Sequence, residues 1–379
     1  MANLVLSEDE TMLADAARGY LDDAAPVAHL RGLRDSGRGH DPALWAGMVK
    51  MGWAGVLVPE AAGGSDMGHA AAGVLAGQMG RTLAASPFLS TAVIAATALR
   101  QVADDRAQAA LAAIASGGVT YALALDEGAK FDPQAIETMA RKDGNGFRIT
   151  GRKRFVVDGG FADRLLVLAR GAGGLTLFDL PADRDGIGRE ARAMIDSRDA
   201  ASIRFDAVAA TGADVLGQVD EGMTILQPAL RAGQAALAAE MAGLAAGAFA
   251  MTVSYLKDRR QFGVPIGSFQ ALQHRAAQLW CDSEVTASAV LNAGRMLDHD
   301  PDNAALAVSL AKARATMTAR QAVQEGVQMH GGIGMTDEFD MGFFMKRTRV
   351  AAEWLGDYGY HAEIVARARG FSKGHGHDT

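Results

Sequence analysis

Between about Val119 and Gly217 the apolar residues of this chain fall at strand-like spacing, and on both sides of that stretch they fall at helical spacing. A chain with that order of periods cannot form one layer of like elements, so it must build helical and sheet bodies. The middle runs are Thr120 to Ala124, Phe147 to Thr150, Phe155 to Val157, Arg164 to Ala169, Leu175 to Leu180 and Ala201 to Phe205. Asp143-Gly144-Asn145-Gly146 punctuates them as a hairpin-type turn. Ahead of them, Ser7 to Glu10 forms a capping box, Asp41-Pro42 is a cap followed by proline at the first helical position, and Gly52 and Gly63-Gly64 end segments. Behind them, helical patterning runs through roughly 221–258, 268–298 and 303–329, with a last helix after about 358. This order predicts an α+β multidomain protein. It has an N-terminal all-α domain over 1–118, a middle β-barrel domain over 119–217 and a C-terminal long-helix bundle over 218–379.

Composition removes several classes of function. Hydrophobic residues at 49% and charged residues at 21% describe a folded globular chain. With Lys+Arg 37 against Asp+Glu 44, a formal charge of -7 and no basic run, no nucleic-acid partner is expected. The one cysteine, Cys281, has no internal disulfide partner, and the start at Met1 is acidic without an apolar leader, so a cytoplasmic, reducing location is expected. Ala235 to Tyr255 is long and nearly uncharged, but it holds Glu240 and is bracketed by Arg231 and by Lys257 to Arg260, which predicts a buried soluble helix and no membrane span. The tail Gly374-His375-Gly376-His377 reads as a mobile end.

The familiar catalytic motifs are missing. The nine histidines include no His-Glu-x-x-His, so no metal is expected. Gly331-Gly332-Ile333-Gly334 follows a helix and reads as a helix cap instead of a dinucleotide loop. More informative is Tyr255 to Arg275, a helix end, a tight loop through Gly263, Pro265 and Gly267, and a new helix opening at Ser268. Arg259 and Arg260 there supply cationic donors suited to a pyrophosphate, and Phe262 a flat apolar surface beside them. The competing reading is two arginines solvating a helix end.

Three blocks carry a family likeness: Gly52-Trp53 through Pro59-Glu60 to Gly63-Gly64, Arg259 through Phe262-Gly263 to Gln270, and Gln328 through Gly331-Gly332 to Gly334. With the helix, strand, helix order, the chain resembles the acyl-CoA dehydrogenase flavoproteins over nearly its whole length. The resemblance implies a tetramer with FAD between the barrel and the bundle, reoxidised by an electron-transferring flavoprotein. It implies that Arg259, Phe262 and Gln270 form one set of cofactor contacts, and that Gln328, Gly331 and Gly332 form the set supplied across a dimer. The implied chemistry removes the alpha proton of an acyl-CoA thioester and passes a hydride from the beta carbon to the flavin.

The chain departs from that family where the reaction itself would occur. The family's Thr-Glu-Pro stretch aligns with Leu125-Asp126-Glu127, losing a hydroxyl at Leu125. Its Trp-Ile-Thr-Asn-Gly becomes Phe155-Val156-Val157-Asp158-Gly159, which keeps an aromatic at Phe155 and loses a hydroxyl at Val157. Leu355 stands where most members carry the catalytic glutamate, although its backbone N–H can still hold a thioester oxygen. The alternative base position is Gly233. Glu240 lies two helical turns further along on nearly the same face. Its burial would raise its proton affinity as a base needs, or it is an ion-pair partner for a neighbouring arginine. Asp357 and Glu353 are the other carboxylates in reach of the role. Two main functions follow, an active acyl-CoA dehydrogenase with a relocated base or the base-lacking subunit of a heteromeric one, with a related flavin oxidase or monooxygenase as a third. The Ala- and Gly-rich helix suggests room for a substrate bulkier than a short straight chain.

Overall fold

The structure is a computed structural model that describes residues 4–371, so the tail at Gly374 to His377 lies outside the described residues. Helix α1 (Glu8–Ala24) opens on the expected capping box, with Glu10 N–H donating to Ser7 Oγ at 3.2 Å and Ser7 N–H to Glu10 Oε2 at 2.8 Å. Helix α2 (Val27–Asp35) follows, then α3 (Pro42–Lys50), capped by Asp41, which accepts from Ala43 N–H at 2.9 Å. Next come α4 (Gly68–Thr82), a π-helix (Phe88–Ala95), α5 (Ala96–Arg100) and α6 (Asp105–Ala115).

Strands β1 (Tyr121–Ala124), β2 (Met139–Asp143), β3 (Gly146–Val157), β4 (Arg164–Arg170), β5 (Leu175–Pro181), β6 (Ile187–Ala191) and β7 (Ala200–Ala210) form one sheet. Its order is β1-β4-β2-β3-β7-β6, with β5 on β4. Asp143 faces Gly146 across the predicted hairpin turn, where Gly144 takes φ +58°. The predicted barrel is an open half-barrel, because β5 and β6 find no further strand among the described residues. Two sequence runs, at Phe147 and at Phe155, are halves of the single twelve-residue β3. The pattern breaks where β3 bulges against β7, between Ile149 and Gly151 and between Lys153 and Val156. Phe147, Phe178, Leu165, Ile203 and Phe205 fill its buried face, Phe147 edge-on to Phe178 at 5.4 Å.

The remaining elements are α7 (Gly222–Asp258), the two-residue strands β8 (Arg260–Gln261) and β9 (Val264–Pro265), α8 (Gln270–His299), α9 (Ala305–His330), α10 (Met341–Glu353) and α11 (Tyr358–Ala368). The sequence predicts no helix at α10, because the buried Arg347 interrupts its apolar stripe. The chain gathers into two compact units. One holds Ala28–Gly68 and Ala85–Gly233, and so contains the sheet; the other holds Met1–Val27, His69–Ala84 and Gln234–Thr379.

Within the second unit the Ala/Gly bias of α7 has a packing cause. A methyl group placed on Gly243 would fall inside the Gly77 carbonyl of α4, and one on Gly80 inside the Glu240 carbonyl, so the two backbones touch. The same helices, with α1 and α8, also line a groove of about 290 Å³ that Ala235, Ala239 and Ala242 floor. Among the described residues α7 is the one helix long and apolar enough to cross a membrane, and 56% of its most apolar window is buried against the protein.

Candidate active site

At the end of α7 the chain reverses through a hairpin. Arg259 N–H donates to Tyr255 O and Ile266 N–H to Arg259 O, both at 2.8 Å. The turn residues Phe262 (φ +52°) and Gly263 (φ +80°) are both left-handed, the geometry that two-residue hairpins favour. That conformation is costly for phenylalanine, and the ring is 92% exposed, with Phe269 edge-on to it at 6.2 Å. The Arg259 guanidinium makes no ion pair among the described residues, and Gln270, the first residue of α8, is exposed. This cluster is built for contact with something outside the unit's own core.

Gln328 is exposed on the last turn of α9. Gly331 follows at φ +64° and ψ -140°, a region that only glycine enters cheaply. A methyl on Gly331 or Gly332 would meet nothing within 4 Å, so the unit's own packing leaves their backbone open to approach. His330 holds the turn from beneath: its Nδ1 lies 2.6 Å from Gly326 O and its ring packs against Tyr255 at 4.4 Å and Phe339 at 4.5 Å. An uncommitted guanidinium, an exposed ring, two exposed amides and an open glycine backbone suit the nucleotide end of FAD.

In the sheet unit, Leu125 is buried and its carbonyl accepts from Lys153 Nζ at 3.1 Å. The bulge in β3 turns Phe155 outward at φ +50° and 52% exposure, next to a half-buried Val157 that pairs with Ala200. Lys153 is wholly buried and binds Glu127 Oε1 at 2.6 Å. Burial holds its amine below the usual range against the pull of Glu127. The sequence points to a hydroxyl lost at Leu125 and assigns Asp126 no role. Burial pushes the Asp126 carboxyl up to about 6, against the attraction of Lys153, and its Oδ1 is buried without a hydrogen bond.

Leu355, the residue expected at the base position, takes φ +57° and is 2% exposed, a buried hydrocarbon. Gly233 is buried in α7 without a side chain. Glu240 is 3% exposed and forms a bidentate pair with Arg347, Nε to Oε1 at 2.8 Å and Nη2 to Oε2 at 2.9 Å. That is the ion-pair alternative the sequence left open. Asp357 caps α11 by accepting Tyr360 N–H at 2.8 Å, and Glu353 faces Arg349 at 3.8 Å on the half-exposed side of α10. Each carboxylate considered for the base thus has a structural partner.

Three side chains that the sequence did not single out hold the Leu355 turn. Gln234 Nε2 and His361 Nε2 both donate to Leu355 O at 3.1 Å. His361 Nδ1 lies 3.3 Å from Ser309 Oγ, and burial pushes the ring down to about 4, which keeps it neutral with its proton on Nε2. Lys312 Nζ donates to Ala351 O at 3.0 Å and Gly356 O at 3.1 Å. The Leu355 N–H itself makes no hydrogen bond among the described residues. The Gln234 and Lys312 contacts span 39 to 121 residues, so no local pattern announced them; His361 lies only six residues from Leu355.

The acyl-CoA dehydrogenase N-terminal, middle and C-terminal domain families match residues 7–118, 122–208 and 220–369. Acyl-CoA dehydrogenase IpdE2 of Mycobacterium tuberculosis is 32% identical over 92% of this chain and 93% of its own length. A variant of the Tcur3481–Tcur3483 steroid ACAD superposes with a TM-score of 0.87 at 31% identity, covering 96% of this chain and 98% of that one. The fold is also that of the ChsE4–ChsE5 complex from Mycobacterium tuberculosis, at a TM-score of 0.90, 24% identity and coverage of 98% and 100%. With all three domain families matched in order along one chain, this protein belongs to the acyl-CoA dehydrogenase family of flavoprotein enzymes.

Proposed function

We propose that this chain is the base-lacking subunit of a heteromeric, FAD-dependent acyl-CoA dehydrogenase. One observation carries the reading: Glu240, the carboxylate considered as a replacement base, is bound through both oxygens by Arg347, while Leu355, which the family resemblance aligns with the base, is a buried hydrocarbon. General-base catalysis needs an acceptor within reach of the alpha proton, and neither Leu355 nor Gly233 offers one. The two-protein names of the Tcur3481–Tcur3483 and ChsE4–ChsE5 assemblies support a heteromer by analogy. Residues 1–118, 119–217 and 218–379 are taken as its working domains.

The chemistry FAD supplies when bound is acceptance of a hydride from the beta carbon of an acyl thioester. This chain's residues bind and orient. Arg259 would neutralise the pyrophosphate, Phe262 and Gln270 flank it, and Gln328, Gly331 and Gly332 give it open backbone and an amide. Phe155 and Asp126 offer a ring and a hydrogen-bonding acid on the half-barrel, where Leu125 and Val157 offer only hydrocarbon. The Leu355 N–H is left to hold a thioester oxygen, so acyl-CoA binding and proton removal are separated in this subunit. The second dehydrogenase chain supplies the base, and an electron-transferring flavoprotein takes the electrons onward. The exposed Cys281 suits a reducing, cytoplasmic location.

The test is anaerobic mixing with a panel of acyl-CoA thioesters, first with the chain expressed alone and then with a co-expressed second dehydrogenase chain. Flavin bleaching only in the co-expressed sample is the expected result. Rapid bleaching by the lone chain would overturn the proposal; its loss in Glu240→Gln would then return Glu240 to the role of base.

A further inference from the structure

We propose that Lys312 is a positioning residue for the Trp354–Gly356 turn and clamps that turn only while its amine carries all three of its protons. The functional meaning rests on the reading of Leu355 as a thioester-holding position; the clamp itself does not. Lys312 is wholly buried in α9, and its Nζ reaches Ala351 O at 3.0 Å, Gly356 O at 3.1 Å and Ala352 O at 3.5 Å. Ala351 and Ala352 belong to the last turn of α10, whose carbonyls no backbone N–H of the same helix can reach. Gly356, at φ +105°, closes the turn. One ammonium therefore ties the end of a helix to the far side of the turn it feeds, using one proton per carbonyl.

No carboxylate touches this ammonium. Its neighbours in charge are Glu353 of α10 and Asp357 at the start of α11, which favour the cation, and Arg347 of α10, which opposes it. Glu240 of α7 is occupied by Arg347, and His361 of α11 is neutral. None of the charges of α8 is among those acting on it. A buried cation with dipoles but no counter-ion in contact is held weakly, because carbonyls do not fully replace the lost hydration. Burial accordingly brings the amine down to about 7. A neutral amine has two N–H groups and a lone pair, so one carbonyl then loses its donor and faces a repulsive partner. The turn is clamped below neutral pH and released above it.

Hydrogen exchange of the 351–356 amides, read by mass spectrometry on the full chain and corrected for intrinsic exchange, tests this. Between about pH 6 and pH 8.5 protection should fall about tenfold, the scale of one charge-assisted hydrogen bond. Lys312→Met should show the low protection at both values, and Lys312→Arg the high one. The same pH dependence in wild type and Lys312→Met would overturn the proposal. Should the variants not fold, NMR titration of the unaltered Lys312 side chain decides: a midpoint near neutrality supports the clamp, and one near the ordinary lysine value removes it. Binding of a saturated acyl-CoA to the lone chain should weaken over the same range. No acyl-CoA binding at any pH, with the exchange step intact, would count against the thioester role of Leu355 and leave the clamp standing.

Discussion

Two wholly buried lysines solve the same problem differently. Lys153, in the half-barrel, has a carboxylate at 2.6 Å and one carbonyl at 3.1 Å; Lys312, in the helical unit, has three carbonyls and no carboxylate in contact. Burial lowers the proton affinity of both, but the Glu127 pair opposes it in the first case, whereas nothing of like strength does so around Lys312. A paired amine is a fixed brace, while a carbonyl-bound one is a brace with a removable proton. The buried Arg347–Glu240 pair extends the series, since a guanidinium does not titrate in the working range.

The largest effects should come from removing one partner of a buried pair. Glu240→Gln leaves Arg347 with an uncompensated charge and should cost about 3–5 kcal/mol in denaturant unfolding at every pH, with part of the loss recovered by adding Arg347→Met. Glu127→Gln should cost a similar amount near neutrality, but its cost should shrink as pH rises, because Lys153 can shed its proton and arginine cannot. Equal pH dependence in the two variants would break the comparison.

A second prediction concerns linkage. Lys312 titrates at about 7 in the folded chain against 10.5 when free. Below about 7 both states carry the proton and the burial cost of the cation is fully present. Above it the unfolded chain binds more protons, so the Lys312 contribution to stability rises with pH up to about 10.5, on the order of a few kcal/mol in total. Lys312→Met should flatten that part of the stability–pH curve. A wild-type curve already flat from pH 7 to 10 would place Lys312 with Lys153.

Smaller effects address the cofactor. Arg259→Ala should weaken FAD retention by about 1.5–3 kcal/mol, as expected for a hydrogen bond to a charged group. Val157→Thr, two positions past the outward-facing Phe155, should tighten FAD binding by about 0.5–1.5 kcal/mol. Unchanged affinity in the first variant or weaker binding in the second, by titration, would move the cofactor contacts elsewhere. Comparing Val157→Thr with Asp126→Asn would show whether the acid already does the work of the missing hydroxyl.

The sequence by itself determined whatever depends on neighbours a few residues apart. The Ser7 capping box, the Asp41-Pro42 start, the Asp143–Gly146 hairpin and the three long helices all form, the long helices with ends within two residues of those expected. The exposed Arg259 and Phe262 at a chain reversal were legible for the same reason. Helix α10 was not, because Arg347 breaks the apolar stripe that would have announced it.

Only the tertiary structure decided what the polar residues do. Glu240 finds Arg347 at a separation of 107 residues, and Lys312 finds its carbonyls 39 to 44 residues away. It also left the sheet open and committed glycines of α7 to the α4 backbone. Periodicity records which face of an element is buried. It does not record which side chain of another element is waiting there, and in a low-dielectric interior that partner decides whether a carboxylate is a base or one half of a brace.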